Sequence, residues 1–121
     1  MPSAVNWFEI PTTDIDRATR FYEQVLATRL KRENFFGTPM AIFTAEDPGV
    51  GGALVRDDKR NPGPGGGLVY LDARGDLDGC LSRVTAAGGA VLLPRTSIGE
   101  MGAIALIADS EGNQVGLHSP A

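Results

Sequence analysis

The apolar positions along the chain change period in the same order twice. Val5-Asn6-Trp7-Phe8-Glu9-Ile10 reads as a strand that ends at Pro11, a residue tolerated at a strand end and not within a central strand. Thr12-Thr13-Asp14 then opens a helix, with Thr13 and Asp16 at capping-box spacing. Ile15, Ala18, Phe21, Tyr22, Val25 and Leu26 follow at helical spacing and form one apolar stripe. Arg29 to Phe36 and Met40 to Ala45 read as strands turning at Gly37-Thr38-Pro39, and Gly52 to Arg56 as a third strand. The polar, Pro/Gly-rich stretch that follows holds no regular element.

Beyond that stretch the order repeats. Gly67 to Asp72 is a strand, and Asp76 opens a helix with the stripe Leu77, Cys80, Leu81, Val84 and Ala87, stopped by Gly88-Gly89. Ala90 to Leu93, Gly102 to Ala108 and Gln114 to His118 are strands, the last two separated by the turn Asp109-Ser110-Glu111-Gly112-Asn113. Each half is therefore βαβββ. The repeat is one of pattern, and a half of this size is marginal alone, so residues 1–121 are expected to form one folding unit. Module one spans 1–57, a linker 58–66 and module two 67–121. The fold class is α+β.

Composition narrows the function classes. The chain has 121 residues, 42% hydrophobic and 21% charged, with a net charge of −4. That is ordinary for one globular domain and lacks the basic stripe that nucleic acid or an anionic membrane surface needs. No apolar run reaches the roughly 20 residues that span a bilayer. The opening MPSAVNWFEI has neither a charged n-region nor an apolar h-region, so no signal peptide is expected. The single cysteine, Cys80, allows no internal disulfide and falls inside a helix stripe, where it reads as a small core hydrophobe. A cytoplasmic location is the expectation.

Phe8-Glu9-Ile10-Pro11, Asp14-Ile15-Asp16-Arg17-Ala18 and Phe21-Tyr22 together resemble the opening of glyoxalase-like proteins. Gly51-Gly52-Ala53-Leu54, Ala87-Gly88-Gly89-Ala90, and Asp109 to Asn113 with Gly116-Leu117-His118-Ser119-Pro120 resemble later landmarks of the same group. The chain thus resembles the glyoxalase/bleomycin resistance/dioxygenase (vicinal oxygen chelate) superfamily, and within it a subgroup described as predicted enzymes related to lactoylglutathione lyase. The resemblance implies two βαβββ modules whose sheets form an open, barrel-like mixed sheet around a cleft, with helices outside. It implies a two-fold homodimer as well. It does not fix function, because the superfamily hosts isomerases, dioxygenases, thiol transferases and drug-sequestering proteins.

In metal-using members each module gives one ligand from its first strand and one from its last. Here those positions fall at Trp7, at Leu68 or Val69, at Gly52 or Ala53, and at Gly116, none of which binds a divalent ion. Extradiol-dioxygenase iron needs two histidines and a carboxylate, and the chain has one histidine. No metal and no other cofactor is expected.

The candidate catalytic groups are Glu9 and His118. On the family geometry Glu9 shares a cleft-facing side with Trp7, where it is either a desolvated general base or the partner of a nearby arginine. His118 shares a face with Gly116 and either shuttles a proton or only closes the last strand. Trp7 and Tyr70 would line the cleft or fill core. Thr96 and Ser97, in a connection between second-module strands, would contact a ligand or form a solvated turn. Gly52 and Gly116, being within strands, suggest close backbone approach or room for a ligand. The leading expectation is metal-independent binding of a small organic molecule. The alternative is a glyoxalase-related lyase or isomerase using Glu9 and His118, and a third class is a dimer working through protein contacts alone.

Overall fold

The computed structural model describes residues 5–121. Part of the opening segment read for a leader, residues 1–4, lies outside them. The elements run β1 (Phe8–Thr12), α1 (Ile15–Val25), β2 (Lys31–Phe35), β3 (Thr38–Phe43), β4 (Gly52–Arg56), β5 (Tyr70–Asp72), α2 (Leu77–Val84), β6 (Ala90–Ser97), β7 (Ala103–Ala108) and β8 (Gln114–Ser119), with a short 3-10 turn at Gly99–Met101. Two βαβββ modules are therefore present and the fold is α+β. Each module folds its strands into a four-stranded mixed sheet, in the orders β1-β4-β3-β2 and β5-β8-β7-β6. In both, the first strand pairs parallel to the last and the remaining pairs are antiparallel.

Several boundaries differ from the pattern reading, each for a local reason. β1 continues through Pro11 to Thr12, because β1 is an edge strand and its missing N–H costs no ladder bond. The β2–β3 hairpin turns on Phe36 and Gly37, both with positive φ (50° and 83°), so Thr38 and Pro39 belong to β3. Regular pairing in β5 covers only Tyr70–Asp72, and β6 runs on to Ser97 through register shifts after Val91 and Leu93. The expected capping box at Thr13 and Asp16 does not form. Asp14 is the N-cap and accepts from the Arg17 amide at 3.0 Å, while Asp16 pairs with Arg32 at 2.8 Å.

Among the described residues no closed barrel forms, and the two sheets are not hydrogen-bonded to each other. α1 packs on β3 and β4, α2 on β6, β7 and β8, and the helices pack on one another. Their stripes merge into one core: Phe21, Tyr22 and Val25 of α1, Leu77, Cys80 and Val84 of α2, Ile10 and Leu54 of the first sheet, Leu71, Ile107 and Leu117 of the second. The helix-bearing side of each sheet thus faces into the chain and the other side faces out.

Polar contacts lock the modules in this orientation. Glu111, in the β7–β8 turn, accepts from the backbone amides of Thr13 and Asp14 at 3.0 Å each, and Arg17 Nε donates to it at 2.6 Å. A carboxylate at the first turn of α1 complements the positive end of the helix dipole. At the other end of α1, Arg83 of α2 donates to the carbonyls of Gln24 (3.1 Å) and Val25 (2.9 Å). Both ends of α1 are therefore capped by module two. Among the described residues no helix is long and apolar enough to cross a membrane.

Candidate ligand-binding face

Alternate residues of a strand point to opposite sides, so strand pairing fixes which side chains share a face. Ile10 and Leu54 belong to the core, which puts Glu9 and Ala53 on the outward face of the first sheet, in one row with Ile42 and Lys31. In the second sheet Leu71 and Leu117 are core. Its outward face carries Tyr70, Gly116 and Leu106 in one row, and Asp72, His118, Ile104 and Thr96 in the next. Glu9 and His118 are thus on outward faces, but of different sheets, and no hydrogen bond or ion pair joins them among the described residues.

Glu9 has a defined environment. The Trp7 indole N–H donates to its Oε2 at 3.2 Å, and Arg60 Nη1 lies 2.7 Å from its Oε1. Of the two readings of Glu9, the ion pair is the one this geometry realises. Arg60 comes from the linker, where a turn closed by the Arg60 amide on the Asp57 carbonyl (3.1 Å) presents it to β1. Its Nε also reaches Asp57 at 3.4 Å, and the bond to Glu9 raises its pKa. The Lys59 amide and Arg60 hold the Asp57 carboxyl below its ordinary range, against a smaller opposing effect of burial. Pattern reading missed Arg60. The only signal was an arginine in a turn-rich run, and which strand it reaches is a tertiary matter.

One ring nitrogen of His118 is engaged by backbone: its Nε2 lies 2.6 Å from the Met101 carbonyl oxygen, to which it donates as the N–H tautomer. Tyr70 is 46% exposed and its ring lies against Gly116, where a Cβ would collide with it. Gly52 is covered in the same way by Phe8, on the core side. The room at both strand glycines is thus taken by neighbouring rings of the protein itself. Thr96 and Ser97 lie in β6, not in a connecting loop. The Thr96 hydroxyl donates to the Pro94 carbonyl (2.8 Å) and the Ser97 oxygen accepts from the Gly99 amide (3.3 Å). β6 extends this far because its register shifts keep it paired to β7 beyond Pro94. Cys80 is buried in the core, and burial raises its thiol pKa, as expected of a packing residue.

The residues present do not suit the metal of the superfamily's metal-using members. Trp7, Leu68 and Val69 offer no donor, Ala53 is wholly buried, and Gly116 is covered by Tyr70. Among the described residues no three His, Cys, Asp or Glu side chains are grouped to hold an ion. A groove of about 750 Å³ does open where Phe8, Leu30 and Phe43 of module one meet Tyr70 and Leu71 of module two, with Arg29 and Arg74 in its lining. It exists only because the modules pack together.

The paired βαβββ modules, with first-strand and last-strand residues adjacent at the outward face of each sheet, define a recognisable class of protein. The sequence profile of the Glyoxalase/Bleomycin resistance protein/Dioxygenase superfamily matches residues 4–117, and the chain belongs to that superfamily. Solved structures of the same fold include a glyoxalase/bleomycin resistance protein from Albidiferax ferrireducens, 17% identical, with 98% of this chain and all of that one covered (100%) at a TM-score of 0.71. A glyoxylase/bleomycin resistance protein/dioxygenase domain from Frankia is 20% identical, with 98% of each chain covered at a TM-score of 0.70. A mutant of glyoxalase I from Zea mays is 19% identical at a TM-score of 0.69, with 96% of this chain aligned to 46% of that one. No curated protein matches the chain in sequence.

Proposed function

We propose that this protein binds a small organic molecule without a metal, in a cleft that a second copy of the chain completes. The observation that carries the reading is the pair of outward faces. The first sheet's has an oriented carboxylate at Glu9 beside the exposed Trp7, and the second sheet's has the exposed Tyr70 with the polar His118 and Thr96, while the family's ligand positions hold no metal donors. Apolar surface with a few placed polar groups is what small-molecule sites consist of. The acid–base alternative, a lyase or isomerase using Glu9 and His118, would require two groups on different sheets, joined by no hydrogen bond or ion pair among the described residues, to act on one substrate, so binding is the better-supported reading. The test is a thermal-shift screen with a library of metabolites and antibiotics, run with and without chelator. A ligand of the native state raises the midpoint by mass action. The expected result is at least one stabilising compound whose effect chelator leaves unchanged. Stabilisation that chelator abolishes and added metal restores would sink the metal-free reading.

The second copy is proposed from edges and exposed apolar groups. β1 and β5 each leave one edge unpaired, and Val5, Trp7, Leu68 and Tyr70, all exposed, lie on or beside these two strands. Unpaired strand edges flanked by apolar side chains are covered in native proteins, and two-fold pairing is the commonest way for identical chains to cover them. Light scattering should give twice the 12.7 kDa of one chain at micromolar concentration. A monomer would remove this part of the proposal.

A further inference from the structure

The Arg60–Glu9 pair has the composition of an occupied ligand site. We infer that Glu9 and Trp7 form a site for a small organic cation, an amidinium or ammonium group, and that Arg60 is its built-in occupant, displaced when such a ligand binds. The inference rests on the reading that the outward face binds a small molecule, and it names the chemical class.

Three features support it. The carboxylate is aimed before any ligand arrives, since Trp7 fixes Oε2 at 3.2 Å and leaves Oε1 to a cation. Trp7 is 43% exposed, so its ring offers a cation an aromatic surface beside the carboxylate. Arg60 is weakly committed: its side chain is 48% exposed, it sits on a linker with no strand or helix, and Asp57 at 3.4 Å keeps it neutralised if it leaves Glu9.

Charge also decides against an anionic ligand. An anion approaching Arg60 would compete with Glu9 and Asp57, both already on the guanidinium. A cation approaching Glu9 competes with one guanidinium only and gains the indole. A half-exposed ion pair is a weak competitor, which makes exchange feasible.

The chain has one tryptophan, so its indole N–H gives a single side-chain resonance that reports on Glu9 directly. Titrating the nitrogen-15-labelled protein with benzamidine should shift that resonance saturably. In Arg60→Ala the affinity should rise about two- to fivefold, the range a displaced surface pair accounts for. In Arg60→Lys, which restores a competitor, it should return toward the wild-type value, and in Glu9→Gln the saturable shift should vanish. Equal affinity in wild type and Arg60→Ala overturns the inference, as does no saturable response to benzamidine in either. Saturable binding of benzoate that Arg60→Ala abolishes overturns it in favour of an anion site. A library compound that stabilises the protein without moving the indole resonance overturns the cation site and leaves small-molecule binding standing. A benzamidine response with no library hit supports the cation site and confines the face's ligands to organic cations.

Discussion

Replacing Asp109 by alanine should cost about 3 to 5 kcal/mol of folding stability, the largest loss expected from any single polar substitution here. Asp109 is buried at the head of the β7–β8 turn and its two oxygens accept four hydrogen bonds. Oδ1 takes the amides of Glu111 (2.8 Å) and Asn113 (2.9 Å). Oδ2 takes the Asn113 side-chain amide (2.9 Å) and the hydroxyl of Tyr22 in module one (2.7 Å). Tyr22 is fully buried, and burial together with the Asp109 carboxylate raises its pKa well above the ordinary value, so it remains a neutral donor. Alanine would leave these donors without an acceptor where water cannot replace it, and each such loss costs about 1 to 3 kcal/mol. Tyr22→Phe, which removes one donor and keeps the ring, should cost only about 1 to 2 kcal/mol. Urea unfolding of both variants measures the difference. Similar losses for the two would show that the carboxylate does not organise the turn.

Acidification should destabilise the protein between about pH 5 and pH 2 through Glu111. Burial alone would push this carboxyl up, but the Arg17 guanidinium and the amides of Thr13 and Asp14 outweigh it and bring the folded-state pKa from 4.5 to about 2. A group whose folded pKa is depressed gives its full stabilisation above the unfolded pKa and loses it as pH falls through the folded one. The shift alone corresponds to about 3 kcal/mol, and roughly 2 is expected because Arg17 is half-exposed and water screens it. Glu111→Gln should remove a comparable amount at neutral pH and flatten the stability curve below pH 5. A variant with the same acid limb as wild type would assign that limb to other carboxylates.

The elements were largely legible in the sequence because their signals are local. The stripe from Ala18 to Leu26, the helix opening at Thr12-Thr13-Asp14 and the stop at Gly88-Gly89 are read from neighbouring residues, and the structure has helices there. Boundaries slipped where backbone geometry competed with hydrophobicity. Phe36 takes a positive φ in the hairpin and is exposed, although its ring suggested strand. Thr96 and Ser97 read as part of a connection, yet β6 is an edge strand that accommodates Pro94 and continues through them.

What the sequence determined by itself is the pair of βαβββ modules, since the period of the apolar positions is a property of the chain alone. Tertiary structure decided the rest. The segment Asp109 to Asn113 reads as an ordinary turn, but its side chains reach Tyr22, the start of α1, the Pro11 carbonyl and the Gly63 amide, partners as far as 102 positions away. Arg60 reads as a solvated linker charge and is the partner of Glu9. Which side of each sheet stays open was settled only when the two apolar helix stripes buried one another. One core forms between the modules because that removes the most apolar surface from water, and it turns Glu9, Tyr70 and His118 outward on separate sheets.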